Sequence, residues 1–298
     1  PEDKIKSFEK RADGAIRITD CYPKSCQNPV FSPDSKEILL TRFLNGYNRG
    51  PSELVRINLR TGEEKIIVKA YGDAVNVPYG SWIDNKITFS SDINGKEQIF
   101  IANGDGSNIT QITNDSENDF IEPVFNPRDT GKILFEVYIP DSGTHHIKLL
   151  EVSTSGDVYL TDDSGYDDRL PSWSPDGKQI AWQRSEIDKD SWSIFVAEII
   201  LEPEVKLLNI RNISRGPSDT DNSWGYAGEY ILSSSLGDGK TPNIFTFSLD
   251  GKRTRITKSE KEDGAPSQSQ DKKLIAFESH VNDEFSSSEL WIIELEDS

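Results

Sequence analysis

The chain has 298 residues, with 51 Asp and Glu against 33 Lys and Arg, giving a formal net charge of −18. That surplus opposes the phosphate neutralisation on which nucleic-acid binding rests, so nucleic acid is set aside as a partner. An aromatic content of 9% and a charged content of 28% describe a folded chain and not a disordered one, and no apolar run approaches the roughly 18 to 20 residues that a membrane-crossing helix needs.

In chain order, residues 1–12 read as an N-terminal tail. The numbering opens at Pro1 without an initiator Met, as in a processed or trimmed chain, so a module of a larger surface protein is one reading. Asp13-Gly14-Ala15-Ile16-Arg17-Ile18-Thr19 is a turn followed by a short strand. Cys21 and Cys26, the only cysteines, enclose Tyr22-Pro23-Lys24-Ser25. Two thiols closing so short a loop suit a local disulfide in an exported protein, whereas a metal site of this kind would need four Cys or His ligands. Three Asn-Xaa-Ser/Thr sequons, at Asn108, Asn114 and Asn212, add little to that reading because they are near chance frequency.

Beyond Cys26 the sequence repeats itself. Pro29-Val30-Phe31-Ser32-Pro33-Asp34-Ser35, followed by the apolar run Ile38-Leu39-Leu40, returns as Pro171-Ser172-Trp173-Ser174-Pro175-Asp176-Gly177 followed by Ile180-Ala181-Trp182. Looser copies centre on Phe125 and Gln268, and degenerate ones on Trp82 and Trp224. The anchors Phe31, Trp82, Phe125, Trp173, Trp224 and Gln268 are 51, 43, 48, 51 and 44 residues apart, a period that fits one propeller blade per repeat. Each copy reads as strand, Pro-Asp-Gly type turn, strand, loop, third strand, Gly-containing turn and fourth strand. The sixth copy stops after its third strand at Leu295. Asp13 to Thr19 has the form of Asp250 to Thr257, so the N-terminal strand is expected to complete the last blade and close the ring.

The repeated Pro-Xaa-Trp/Phe-Ser-Pro-Asp-Gly/Ser turn, with an Asp-Gly turn before Ile/Leu-Thr, resembles the WD40-like (PD40) repeats of TolB-type propellers over nearly all of residues 13 to 298. The expected fold is all-β: a single six-bladed β-propeller over 13–298, with four antiparallel strands per blade. The resemblance implies a protein or peptide held at the mouth of the channel. Related propellers also precede α/β-hydrolase domains in prolyl oligopeptidase-like enzymes, but no Gly-Xaa-Ser-Xaa-Gly elbow occurs and six blades leave no length for such a domain.

The three histidines, His145, His146 and His280, form no ligand cluster; strand neighbours such as His145 and His146 face opposite sides. Carboxylates are the more suggestive group. The segments leading from the outer strand of one blade to the inner strand of the next are acidic, and in a propeller they border one end of the channel. The candidate binding residues there are Asn28, Asn76, Asp119, Glu122, Asp167, Asp168, Arg169, Asp221, Asn222 and Asp263. Oxygen ligands of this density suit a hard cation such as Ca²⁺, or a basic partner, although no EF-hand spacing is present. Trp82, Trp173, Trp224, Trp192 and Trp291 are expected in the core. Tyr22, Tyr47, Tyr71, Tyr79 and Tyr166 fall in expected loops, where exposed rings could stack on a sugar or anchor a peptide. The leading expectation is a non-enzymatic, exported (periplasmic or extracellular) monomeric binding protein or scaffold. The alternative is a propeller enzyme, a carbohydrate lyase or lactone hydrolase, with a divalent metal in the axial funnel.

Overall fold

The computed structural model describes residues 4–70, 75–76, 81–163, 165–281 and 286–295. Among them the strands form six antiparallel sheets and there is no helix. From the inside outwards, blade 1 is Ser25–Phe31, Glu37–Phe43, Ser52–Asn58 and Glu64–Val68. Blades 3, 4 and 5 repeat the four-strand order with inner strands Asp119–Asn126, Tyr166–Trp173 and Asp219–Trp224. In blade 2 the inner edge is split into Val75–Asn76 and Trp82–Ile83, both paired with Lys86–Ser91.

Blade 6 closes the ring as the sequence predicts. Its strands Asp263–Gln268, Leu274–His280 and Ser288–Glu294 are joined by Ile16–Arg17, with Ile16 opposite Ile292 and Arg17 opposite Trp291. The chain before that strand is also tied down: Glu9–Lys10 adds a fifth strand, and the Lys6 N–H donates to the Leu59 carbonyl at 2.8 Å. Residues 9–10, assigned by sequence to a tail, thus belong to the last sheet. The disulfide Cys21–Cys26 is formed, with a Cα–Cα separation of 6.0 Å.

The local chemistry of the repeat explains its recurrent residues. In the Ser-Xaa-Asp turn, with Pro in the middle in blades 1 and 4 and Gln in blade 6, the serine hydroxyl donates to the aspartate, at 2.8 Å for Ser32–Asp34, 2.7 Å for Ser174–Asp176 and 2.6 Å for Ser269–Asp271. The same hydroxyls accept backbone N–H groups of Glu37, Gln179 and Leu274, satisfying donors that the hairpin leaves over. The threonine that ends the fourth strand has an equally definite task. Thr113, Thr161, Thr257 and Thr19 accept an N–H of the third strand (Ile99, Ile147, Ile244 and Leu290) at 2.9, 2.9, 3.0 and 2.8 Å. A net contribution of about 1 kcal/mol for each such bond is typical.

The core lies between blades, as the alternation of strand side chains requires. Six apolar clusters fill the six blade interfaces, for example Val124, Leu134 and Ile147 of blade 3 against Trp173, Ile180 and Trp182 of blade 4. The seam between blades 6 and 1 has its own cluster, with Ala276, Leu290 and Ile292 against Ile38, Leu40 and Val55. Trp82, Trp173, Trp224 and Trp291 are buried as expected, and Trp192 is half-buried. Gln268, which replaces the aromatic anchor in blade 6, is buried and donates to the Tyr230 hydroxyl at 2.8 Å.

Candidate functional site at the channel mouth

Every inner strand described through its full length is interrupted at the same place. Pairing with the second strand skips between Gln27 and Val30, Ile121 and Val124, Arg169 and Ser172, Thr220 and Ser223, and Gly264 and Ser267. Each skip is a β-bulge whose first residue has positive φ: Asn28 (52°), Glu122 (53°), Leu170 (52°), Asp221 (54°) and Ala265 (45°). Non-glycine residues rarely adopt this conformation, and such local strain clusters where function needs a fixed geometry. Four of the five precede proline in the sequence, a residue without a backbone N–H and therefore suited to a bulge.

The bulges bring residues of five blades into one small recess on the axis, open to solvent, with a cavity volume of about 70 Å³. Its lining is Asn28, Pro29, Glu122, Leu170, Pro171, Asp221, Asn222, Ala265 and Pro266. The residue just before each bulge is paired with a polar residue of the second strand: Thr41, Glu136, Gln183, Ser234 or Glu278. Three of these reach sideways to the bulge of the next blade. Glu278 accepts the Asn28 N–H at 3.1 Å, Glu136 the Leu170 N–H at 2.9 Å, and Gln183 the Asp221 N–H at 2.9 Å. A side-chain chain runs along the mouth as well: Asn28 Nδ2 donates to Asn76 Oδ1 at 2.7 Å, and Asn76 Nδ2 donates to Glu122 Oε1 at 2.8 Å.

The electrostatics of this mouth are one-sided. No Lys or Arg of the described residues forms an ion pair with Glu122, Asp221 or Glu278. Burial raises the Glu122 carboxyl well above the usual range, and repulsion from Glu136, Glu97 and Asp221 adds to it. Burial also raises Asp221, against a backbone hydrogen bond from Ala265. Glu278 is pushed up to about 7, chiefly by burial and then by Asp221. Tyr47 covers this corner from blade 1: its hydroxyl donates to Glu278 at 2.9 Å and its ring lies 4.4 Å from that of His280.

The ten residues singled out by sequence divide into two groups. Asn28, Asn76, Glu122, Asp221 and Asn222 meet at or beside the recess. The other five are engaged in contacts within and between blades. Asp168 is fully buried, held by Arg184 at 2.6 and 2.8 Å and by the Trp182 indole at 2.9 Å. Asp263, also fully buried, takes both terminal nitrogens of Arg11 at 2.9 and 3.0 Å. Asp119 pairs with Lys96 at 3.2 Å, and Arg169 bonds Asp167 at 2.6 Å while stacking over Trp192. Burial would raise Asp167, but hydrogen bonds from His145 and Arg169 bring it down to about 2.

The sequence places these aspartates in the segments connecting blades, yet Asp119, Asp167, Asp168, Asp221 and Asp263 lie within inner strands. The bulge breaks the two-residue alternation that would have revealed the strand. Tyr22 is exposed as expected, Tyr47 and Tyr166 are half-buried, and Tyr71 and Tyr79 lie outside the described residues. Sequence reasoning missed Glu136 and Glu278. Their signal was the polar residue that ends the second apolar run in every repeat, as in Ile275-Ala276-Phe277-Glu278.

Fold and mouth together define a six-bladed propeller with an acidic axial recess. The chain belongs to the TolB beta propeller domain (PD40) family, whose sequence pattern matches residues 9–207. No curated protein matches it in sequence. Among solved structures it is similar to a gluconolactonase from Xanthomonas campestris (TM-score 0.68, 14% identity, covering 98% of this chain and 94% of that one). It is also similar to an oligogalacturonate lyase in complex with manganese (0.65, 13%, 99% and 96%) and to TolB from Acinetobacter baumannii (0.64, 15%, 90% and 65%). At these identities the likeness is one of fold. Among the described residues no three His, Cys, Asp or Glu side chains gather as a metal-holding group, and no helix is long and apolar enough to cross a membrane.

Proposed function

We propose that the protein is a non-enzymatic binding module that holds a partner protein or peptide, through its basic side chains, at the mouth of the propeller channel. The observation that carries this reading is the recess itself, formed by backbone bulges and lined by carboxylates without a cationic partner. Buried carboxylates of like sign destabilise one another, and a guest cation that enters among them relieves the repulsion. The mouth is therefore complementary to a positive group, and the overall charge of −18 steers such a partner towards the protein. The Cys21–Cys26 disulfide supports an exported protein working in an oxidising compartment. A divalent cation such as Ca²⁺ is the competing occupant of the same recess.

Titration with a panel of lysine- and arginine-bearing peptides tests the reading. Binding is expected to weaken at least tenfold between about 20 and 200 mM salt, and to weaken again in Glu122→Gln. Affinity indifferent to both would remove the mouth as the binding surface.

A further inference from the structure

Three of the five described bulges carry a side-chain oxygen: Asn28 in blade 1, Glu122 in blade 3 and Asp221 in blade 5. The bulges of blades 4 and 6 carry Leu170 and Ala265 instead. Alternate blades of a six-fold ring lie roughly 120° apart about its axis, so the three oxygen-bearing residues surround the recess as a triangle. Asn28 already uses Nδ2 on Asn76, which leaves Oδ1 as its acceptor. Glu122 and Asp221 bring carboxylates with no cation against them.

A separate observation at the same place points to a missing donor. Asn222 follows Asp221, lines the recess, and is only 5% exposed. Its Nδ2 donates to Ser172 Oγ at 3.1 Å, while its Oδ1 has no hydrogen-bond partner among the described residues. Buried acceptors are almost always satisfied, and one that is not calls for a ligand or water to complete it. The remaining wall is apolar: Pro29, Pro171 and Pro266 with Leu170 and Ala265.

We propose that the recess is a socket for a primary alkylammonium, the side chain of a partner's lysine, with its three N–H donors shared among Asn28, Glu122, Asp221 and the open Asn222 Oδ1, and its methylenes against the prolines and Leu170. An ammonium is a compact charge with three donors on a tetrahedral nitrogen, which matches three acceptors spread around an axis. A guanidinium is a flat fork that favours two oxygens of a single carboxylate. A quaternary ammonium has no N–H to give. The apolar wall suits a methylene stem, which a metal ion lacks. The inference deepens the binding reading above and rests on it for its site, but it concerns one chemical group and can fail separately.

The test uses the full chain and four probes at matched ionic strength: n-butylammonium, n-butylguanidinium, tetramethylammonium and Ca²⁺. Binding is followed by calorimetry and by the side-chain amide resonances of Asn28 and Asn222. Butylammonium is expected to shift both amides and to bind at least tenfold more tightly than butylguanidinium, with tetramethylammonium inert. Glu122→Gln and Asp221→Asn should each weaken it at least tenfold without lowering the thermal midpoint, and Asp162→Asn, on an exposed turn, should change nothing. Equal affinity for the guanidinium, Ca²⁺ binding with which the amine does not compete, or an amine affinity unchanged in both variants would each overturn the socket. Salt-dependent peptide binding with no amine binding would overturn the socket alone and leave the wider reading in place. Amine binding with no peptide binding would do the reverse.

Discussion

Two sets of carboxylates sit two positions apart in the repeat, on the inner strands of different blades, and they live in opposite circumstances. Asp168 and Asp263 stand two positions before a bulge and face Arg184 and Arg11, each through two hydrogen bonds. Glu122 and Asp221 stand at the bulge itself and line the recess, with no arginine or lysine of the described residues paired with them. Position in the repeat, and not residue type, decides which aspartate holds blades together and which is left for a guest. The same slot in blade 1 holds Cys26, two residues before Asn28, where a disulfide does the joining.

The contrast is sharpest when one carboxylate of each kind is removed. Asp168→Ala leaves Arg184 and the Trp182 N–H without their acceptor in the protein interior, whereas Asp263→Ala takes two hydrogen bonds from Arg11 but leaves it Asp13, at 2.9 Å. Stranding one member of a buried pair typically costs about 3–5 kcal/mol, so Asp168→Ala should show a strongly lowered midpoint in urea, and Asp263→Ala, whose Arg11 keeps Asp13, a smaller drop. Asp221→Asn, by contrast, removes a charge whose carboxyl is already pushed up by burial, and its stability should hold or rise. If Asp221→Asn were as damaging as Asp168→Ala, the division between joining and receiving carboxylates would be wrong.

A pH series sharpens the comparison further. Glu278 titrates at about 7 in the folded protein against an ordinary value of 4.5, so between those limits the folded state binds more protons than the unfolded one. Stability from this group therefore falls as pH rises from 4.5 through 7, by on the order of 3 kcal/mol. His280, brought down to about 4 by burial, has the opposite sign below 6.5, because it is the unfolded state that takes up its proton. The effect of Glu278 is isolated by subtracting the profile of Glu278→Gln from that of the wild type, and the difference should change most between pH 4.5 and 7 and level off above that window. A flat difference would show that the Tyr47 hydroxyl and the Asn28 N–H fully stabilise the ionised form.

How far the sequence revealed all this follows the range of the interactions. The Ser-Pro-Asp turns and the closing threonines act over a few residues, so Ser32, Asp34 and Thr113 could be read as parts of a repeat before any fold was seen. Ring closure was legible because Asp13 to Thr19 resembles a strand that the sixth repeat lacks. The bulges were not, since a residue at positive φ has no composition of its own here: Asn, Glu, Leu, Asp and Ala all occupy the position. Partners across the ring were equally hidden. Nothing local links Arg11 to Asp263, 252 residues away, or Tyr47 to Glu278, 231 residues away. Asp119, Asp167, Asp168, Arg169 and Asp263 thus looked like the same acidic rim as Glu122 and Asp221, and only the register separates them.

The disulfide gives the smallest of the expected effects and the cleanest check on whether joining and receiving are separable. Cys21 and Cys26 are five positions apart, and cross-linking so short a loop restricts the unfolded chain by roughly 2 kcal/mol in the loop-entropy account. Both thiols lie in the cluster between blades 6 and 1, beside the closing strand and not in the recess. Much of that segment is held independently, because Glu289 accepts the N–H groups of Cys21 and Tyr22 at 2.7 and 3.0 Å. The Cys21→Ser, Cys26→Ser double variant should therefore lose about 2 kcal/mol or less in urea unfolding, while its affinity for a lysine-bearing peptide stays within about twofold of the wild type, a difference of roughly 0.4 kcal/mol. A larger loss of affinity would mean that Cys26 transmits its position to Asn28 through the two intervening bonds of the strand, and that the seam tunes the mouth.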